Sequence, residues 1–257
     1  MAIEVQRLNM DNSWWVKVNN SSFLIDPWLE GEEIDFFKWF NTQWHRTAPI
    51  AYDKIPDFDF VVITQKYPDH FHEVTLRKLN PKKLLVPKSI EKKVKKLLPQ
   101  SEVLSFVSSI INVFDSALNF HHIPTSRKID PIYDSMIFEN GEESVFISTH
   151  GHGLDQRKIE RISKLPPVSV LFTPFNFYQL PVVLGGTVSP GLEGVNHLVE
   201  VLNPKRVLAT HDEDKYAKGL VSRFARITRS PKKEDLISLE WLKDRYLELT
   251  TYEPARI

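Results

Sequence analysis

Cysteine is absent from this sequence of 257 residues. Without it the chain has no disulfides, thiolate metal ligands, iron–sulfur clusters or cysteine nucleophile, so any metal must be held by histidine and carboxylate. No apolar run reaches the ~18 residues that a membrane-spanning helix needs. The first residues also lack the basic-then-apolar pattern of a signal peptide. We therefore expect a cytoplasmic protein without a membrane span.

Net charge is also missing, since 33 basic side chains balance 33 acidic ones. A neutral chain has no long-range field to attract polyphosphate or an anionic membrane, so we expect no nucleic-acid partner. Seven lysines lie between positions 82 and 96. They fall opposite the apolar stripe of Ile90, Val94 and Leu97, and this pattern is typical of a solvated helix face.

Three motifs of common enzyme classes do not occur. There is no P-loop, no Gly-rich dinucleotide fingerprint and no Gly-x-Ser-x-Gly elbow. The sequence therefore gives no support to nucleotide phosphotransfer, nicotinamide redox chemistry or serine hydrolysis.

No Gly/Ser linker or low-complexity tract divides the chain, which predicts one domain over residues 1–257. Short β-branched and apolar runs predict strands at 14–18, 22–25, 60–63, 83–86, 118–122, 144–147, 168–172 and 206–209. Apolar stripes between them predict helices, one capped by Ser89, one by Asp155, and one running from Leu192 to Leu202. Early hairpin-like strands followed by strand–helix alternation favour an α/β sandwich of sheets flanked by helices.

Histidines collect where predicted strands end. His70 and His72 follow the strand at 60–63, His150 and His152 follow that at 144–147, and His211 follows that at 206–209. Loops after strands are the usual place for binding and catalytic residues, so these five are candidate site residues. His45 and His197 stand alone, and we expect ordinary hydrogen-bonded structural roles for them.

The segment 34–44 contains five large aromatic residues. Three roles are consistent with such a segment: a lid over an apolar substrate, a dimer contact within a homo-oligomer, or part of the hydrophobic core. We expect core, because large rings are usually buried.

Four segments, taken in order, resemble the metallo-β-lactamase superfamily and within it the lactonase-like branch related to L-ascorbate-6-phosphate lactonase. Residues 23–29 resemble that branch's Leu-Ile-Asp-Pro segment, and 63–70 resemble its Thr-His-x-His-x-Asp-His signature. Residues 146–151 occupy its Gly-Asp-Thr segment, and 208–211 match its late strand that ends in histidine. The resemblance implies a four-layered αββα sandwich with a metal centre at one edge.

The chain departs from that signature at the family's first metal site. Gln65 and Tyr67 stand where the family has two histidine ligands, and the third falls near Thr125, Ser126 and Arg127, where there is no histidine. The first site is therefore expected to be lost, with Gln65 and Tyr67 contacting the substrate instead.

The family's second metal site is retained. Asp69, His70 and His211 remain, and His150 stands at the position of the bridging aspartate. A carboxylate can span two cations, whereas a neutral imidazole offers one lone pair, so the substitution agrees with a mononuclear centre. The resemblance therefore implies one divalent ion, zinc first with manganese or iron as alternatives, held by Asp69, His70, His150 and His211.

The implied function is metal-dependent hydrolysis of a small ester, lactone or phosphoester, with Asp69, His72 and His152 as candidate catalytic residues. Four protein ligands raise a difficulty, because catalytic zinc usually has three protein ligands and an open coordination position.

Two roles are open for Asp26: it orients a metal ligand, or it caps the turn at Pro27. The alternative function is a catalytically silent member of the fold that binds a small molecule or a protein partner.

Overall fold

The computed structural model describes residues 3–125, 133–182, 186–211, 214–228 and 231–257. The strands found there are, in chain order, β1 Ile3–Arg7, β2 Trp14–Val18, β3 Ser21–Ile25, β4 Glu32–Asp35, β5 Asn41–His45, β6 Phe60–Val62, β7 Lys83–Val86, β8 Glu102–Ser105, β9 Ser109–Ile110, β10 Asn119–Ile123, β11 Ser135–Glu139, β12 Ser144–Ser148, β13 Val168–Thr173, β14 Phe177–Gln179, β15 Thr187–Pro190, β16 Arg206–Ala209, β17 Lys215–Lys218, β18 Arg226–Thr228 and β19 Ala255–Arg256. The α-helices are α1 Glu73–Leu79, α2 Glu91–Leu97, α3 Gln156–Ile162, α4 Leu192–Leu202, α5 Val221–Phe224 and α6 Lys233–Ile237.

Two large sheets form the centre of the molecule. The first has the strand order β19-β1-β2-β3-β6-β7-β8, and the second has the order β16-β13-β12-β11-β10-β9. In the first sheet, β3, β6, β7 and β8 run parallel, while β12, β13 and β16 run parallel in the second. Because parallel strands end at the same edge of a sheet, the loops that follow them are brought together there.

The layer between the two sheets is apolar and rich in phenylalanine. Phe23 and Phe60 of the first sheet stack at a ring-centroid distance of 5.3 Å, and Phe23 lies 4.5 Å from Phe138 of the second. All three side chains are fully buried. Such rings bury a large apolar area and prefer offset or tilted packing.

Helices cover the outer faces of both sheets. Leu76 of α1 and Val94 of α2 belong to the apolar cluster outside the first sheet, while Ile162 of α3 and Leu198 of α4 belong to that outside the second. The predicted αββα sandwich is therefore confirmed.

Helix boundaries agree with the predictions except at one cap. Asp155 caps α3 by accepting a hydrogen bond from the backbone of Lys158, and α4 spans the predicted residues. Ser89, however, is not the cap of α2: Ile90 occupies that position and has no capping side-chain bond. The lysines of α2 are mostly exposed, which confirms the predicted solvated face.

Two smaller sheets, β15-β14-β18 and β17-β5-β4, were not predicted. The second corrects the expectation of a buried aromatic segment, because residues 36–40 form the connection between its strands β4 and β5. The side chains of Phe36, Phe37 and Trp39 are 75%, 60% and 66% exposed. A tight turn between two strands has too few neighbours to bury side chains of this size.

No helix in the described parts of the chain is long and apolar enough to cross a membrane.

Candidate metal site

The predicted site residues gather where parallel strands of both sheets end. Asp26 follows β3 and Asp69 and His70 follow β6 in the first sheet, while His150 follows β12 and His211 follows β16 in the second. The two sheets thus bring candidate ligands from separate parts of the sequence to one edge of the sandwich.

Asp69, His70 and His211 form a candidate metal site. Their ligand atoms all lie within 4.8 Å of one another. The Nε2 atoms of His70 and His211 are 3.3 Å apart, and Asp69 Oδ2 lies 3.7 Å from His70 Nε2. Two nitrogens bound to one tetrahedral zinc at about 2.0–2.1 Å would stand roughly 3.3 Å apart, so the histidine pair fits a shared ion.

Asp26 orients His70. The Nδ1–H of His70 donates to Asp26 Oδ2 at 2.7 Å, leaving Nε2 as the nitrogen that faces His211. Thr64 holds the same carboxylate with its backbone N–H at 2.7 Å and its hydroxyl at 2.5 Å. A carboxylate behind a histidine fixes the tautomer and raises the basicity of the ligand nitrogen. Of the two roles considered for Asp26, these contacts favour the one that orients a ligand.

The two facing histidines have opposite proton affinities. Burial opposes a charge on His70, but the Asp69 and Asp26 carboxylates outweigh it and raise its pKa to about 9. Burial, with the positive charge of His70 beside it, lowers the pKa of His211 to about 3. His211 is therefore a neutral imidazole, the form that binds metals, whereas His70 would have to release its Nε2 proton on binding an ion. Burial raises the pKa of Asp69, but His70 and Lys215 overcome that effect, so its pKa is lowered and it stays anionic.

His150 lies beside the three-residue site and belongs to a different hydrogen-bond arrangement. Its ring centroid is 5.7 Å from that of His211, and its Nε2 accepts a hydrogen bond of 2.9 Å from Gln65 Nε2. The same Gln65 amide donates to Thr149 Oγ1. Burial lowers the pKa of His150 well below its usual value, which keeps the ring neutral. Its predicted role as a fourth metal ligand stays a prediction.

The other predicted site residues lie around this centre. His72 caps α1, its Nδ1 accepting from the backbone N–H of Thr75. His152 Nε2 lies 3.0 Å from the carbonyl oxygen of Val188. Tyr67 is half-buried in the loop that leads to His70. The catalytic roles of His72 and His152, and substrate contact by Gln65 and Tyr67, stay predictions.

A cavity of about 120 Å³ lies beside His152, and its described lining does not include Asp69, His70, His150 or His211. Tyr133 lines it, with its ring 5.6 Å from that of His150 and 4.4 Å from that of His152. Lys158 contributes a cation and Ile123 an apolar wall. Thr125, one of the three positions where the family's third first-site ligand would fall, also lines it, whereas the neighbouring Ser126 and Arg127 lie outside the described residues.

A lysine that the sequence did not single out lies next to the metal site. The ammonium of Lys215 is 3.1 Å from Asp11 Oδ2 and 3.8 Å from Asp69 Oδ2. Its side chain is 7% exposed and that of Asp11 is fully buried. A buried cation at this distance holds Asp69 in place and competes with a metal ion for its charge.

The buried carboxyl of Glu33 lies on the same face of the small sheet as Lys215, by their registers with β5. Among the described residues, neither of its carboxyl oxygens has a hydrogen-bond partner. Burial, with the negative charges of Asp69 and Asp35 nearby, raises its pKa to about 10. Glu33 is therefore a neutral acid at pH 7.

The turn between β1 and β2 positions ligands from both sheets. The backbone carbonyl of Asp11 accepts from the N–H of His211, and the amide of Asn12 donates to the carbonyl of Asp69. Asn9 folds this turn by accepting from the backbone N–H groups of Asp11 and Ser13. Its run of Asn, Asp and Ser after a strand is a recognisable turn signal, but no sequence rule connects it with a histidine some two hundred residues later.

The isolated histidines make the structural contacts expected of them. His45 stacks on Trp28 with ring centroids 3.9 Å apart and lies 3.1 Å from its carbonyl oxygen. His197 of α4 accepts a hydrogen bond from the backbone N–H of Leu154.

Three solved structures illustrate what this architecture resembles. Igni18, a metallo hydrolase from the hyperthermophilic archaeon Ignicoccus hospitalis, has a TM-score of 0.68 at 14% identity, covering 100% of this chain and 99% of its own. An isothiocyanate hydrolase from Delia radicum gut bacteria has a TM-score of 0.68 at 15% identity, with 98% of each chain covered. A possible metal-dependent hydrolase from Veillonella parvula has a TM-score of 0.69 at 15% identity, covering 99% and 98%. At these identities the likeness shows the fold alone.

No curated protein matches the chain by sequence. The family described as the beta-lactamase superfamily domain does match, over residues 9–211. That range begins at the turn before β2 and ends at the last residue of the candidate metal site, and it covers well over half of the chain. The protein therefore belongs to the beta-lactamase superfamily.

Proposed function

We propose that this protein is a hydrolase with a single divalent cation, zinc being the first candidate, held by Asp69, His70 and His211. The observation that carries the proposal is the pair of Nε2 atoms 3.3 Å apart with the Asp69 carboxylate beside them. Three protein ligands leave a coordination position open, as in catalytic zinc sites. A divalent cation bound there would supply Lewis acidity and lower the pKa of water towards about 7.

The surrounding residues suit a small substrate. A cavity of about 120 Å³ admits a small ester, lactone or phosphoester more readily than a large ligand. A divalent cation with Asp69 as its one anionic ligand would keep a net positive charge, which favours a substrate with negative charge. We further propose that His152, which also lines the cavity, donates a proton to the leaving group. The retained Asp69, His70 and His211 support placement in the lactonase-like branch, and Gln65 and Tyr67 at two first-site positions make its signature degenerate.

A second candidate function has one observation in its favour. The ammonium of Lys215, 3.8 Å from Asp69 Oδ2, can neutralise that carboxylate without any metal. The protein would then be a silent member of the superfamily that binds a small molecule or partner through the same cavity.

Metal content distinguishes the two functions. Protein purified without an affinity tag or added metal should contain close to one equivalent of divalent metal per chain by plasma mass spectrometry. His211→Ala should lose most of it, Asp69→Ala should lose more because it also removes the site's charged ligand, and the matched control His121→Ala should retain it. Loss of lactone or phosphoester hydrolysis should parallel loss of metal. Wild-type protein that binds no metal on titration would favour the silent function.

A further inference from the structure

The loop between β4 and β5 carries an unusually exposed group of aromatic rings. Phe36, Phe37 and Trp39 are more than half exposed, and the rings of Phe37 and Trp39 stack at 5.8 Å. Exposed aromatic residues in a row are uncommon away from binding surfaces. The metal site and the cavity do not use them.

The segment that follows β17 extends this patch. Backbone N–H groups of Leu220 and Val221 donate to the carbonyls of Trp39 and Phe40 at 3.0 Å. Gly219 makes this approach possible, because a Cβ there would lie 2.5 Å from the Phe40 carbonyl oxygen and its φ is +119°. The exposed side chains of Leu220 and Phe224 thereby join the aromatic loop. We refer to the exposed residues of 36–40 and 218–226 as the tip surface.

The charge of the tip surface is of one sign. Residues 36–40 and 218–226 contain four basic residues and no acidic one, although the whole chain is neutral. Lys38, Lys218, Arg223 and Arg226 are exposed among the apolar side chains. Glu32 is an acidic neighbour of this surface. Its carboxylate oxygen Oε1 lies 2.6 Å from the ammonium nitrogen of Lys38.

We propose that the tip surface docks the protein on an anionic lipid bilayer. Trp and Phe with interspersed Lys and Arg are the residues that settle at the headgroup boundary, the rings entering the acyl region and the cations meeting lipid phosphates. A protein interface of standard size needs about 20–30 residues a side, whereas here a few residues at a turn are exposed, which suits shallow insertion better. Because the net charge is zero, the attraction is local and acts within about 10 Å of the surface.

Vesicle co-sedimentation tests the proposal. The protein should bind vesicles of phosphatidylcholine with phosphatidylglycerol and should not bind phosphatidylcholine alone, and added salt should weaken binding. The double variant Phe37→Ser with Trp39→Ser should bind at least about tenfold more weakly. The double variant Lys218→Glu with Arg223→Glu should lose binding to a similar extent, and it leaves the aromatic loop intact in case the first variant is unstable.

Matched controls come from elsewhere on the surface. Val107→Ser with Ile111→Ser removes two exposed apolar side chains that flank β9, and Lys92→Glu with Lys96→Glu reverses two exposed charges of α2. Both should bind like wild type. Equal loss in the controls, or no binding of wild-type protein to anionic vesicles, would overturn the proposal. A wild-type dimer that the Phe37/Trp39 variant converts to monomer, without vesicle binding, would also overturn it and assign the tip surface to a second copy of the chain.

Discussion

At the scale of single residues, the site depends on how Asp26 and Thr64 hold His70. The His70 ring is 2% exposed, and its Nδ1 lies 2.7 Å from Asp26 Oδ2. Its orientation is therefore set by the fold, and the metal-binding nitrogen needs no rearrangement to face His211. Because Asp26 is not itself a candidate ligand, its contribution to metal affinity can be tested by a substitution that leaves Asp69, His70 and His211 unchanged.

We predict that Asp26→Asn lowers zinc affinity by about 10–100-fold. Asparagine keeps the shape but removes the charge that holds His70 Nδ1–H. Isothermal titration of metal-free protein measures the change. Asp59→Asn is the matched control, because Asp59 also accepts a backbone N–H, that of Ser22, but contacts no histidine in the structure. Equal affinity in Asp26→Asn and wild type would show that Asp26 does not support the ligand.

Glu33 gives a prediction about pH. Its pKa is raised to about 10 in the folded protein and is 4.5 in its ordinary state, so between these values the folded chain holds a proton that the unfolded chain has released. Stability from this group therefore falls as pH rises above about 4.5, by up to about 1.4 kcal/mol per pH unit. The difference in unfolding free energy between wild type and Glu33→Gln, measured by urea unfolding of metal-free protein at pH 5 and pH 8, isolates this loss from the titration of His70 and His211. Glu33→Gln should remove it, whereas Glu240→Gln, at an exposed site, should not.

At the scale of elements, α4 holds the loop that carries His150 and His152. Gly194 on this helix faces the backbone of Gly151, whose carbonyl oxygen would lie 2.1 Å from an added Cβ. His197, one turn further along, accepts from the backbone of Leu154 in the same loop. Helix and loop are thus in direct backbone contact.

Gly194→Ala should consequently destabilise the protein by about 1–3 kcal/mol, as overpacking does. Under the proposed function it should also weaken substrate binding, raising KM more than it lowers kcat, because the loop lines the cavity while Asp69, His70 and His211 lie elsewhere. Urea unfolding and steady-state kinetics measure the two effects. Glu200→Ala on the exposed face of the same helix is the control. Unchanged stability would mean that the loop moves away without cost.

Strand and helix positions were largely predictable because their signals are local. Strands such as β2, β7 and β16 have the predicted bounds, since each is a short run of apolar or β-branched residues between turn signals. The small sheet β17-β5-β4 was not predictable, because Lys215 and His45 pair across 170 positions and nothing in either segment specifies the other. The exposed aromatic loop was wrongly expected in the core for the same reason.

The site was predictable only as far as the family pattern extends. Asp69, His70 and His211 stand at matching positions, and the structure brings them together. Lys215, Glu33 and the turn at Asn9 do not belong to that pattern, and their effect on the site arises from tertiary packing.

At the scale of the whole molecule, the metal should stabilise the fold, because an ion that binds the folded chain alone adds to its stability. When the free metal concentration is 100 times Kd, the free energy of unfolding increases by about 2.7 kcal/mol. Chelation should therefore lower Tm by about 5–10 °C in a chain of this size. Scanning calorimetry with and without chelator measures it. Asp69→Ala and His211→Ala should be insensitive to chelator, and an equal shift in these variants would place the stabilising ion elsewhere.

The contact between His70 and His211 joins the two sheets at the candidate metal site. It has a consequence for how the chain folds during synthesis. His211 meets His70 across 141 positions, and its backbone N–H meets the carbonyl of Asp11 across 200. Contacts of such long sequence separation form late, after the entropy of closing the loop has been overcome. A nascent chain still emerging from the ribosome has Asp69 and His70 but not yet their partner. The three candidate ligands therefore first come together when most of the polypeptide has been synthesised, and under the proposed function acquisition of the metal would mark the end of folding.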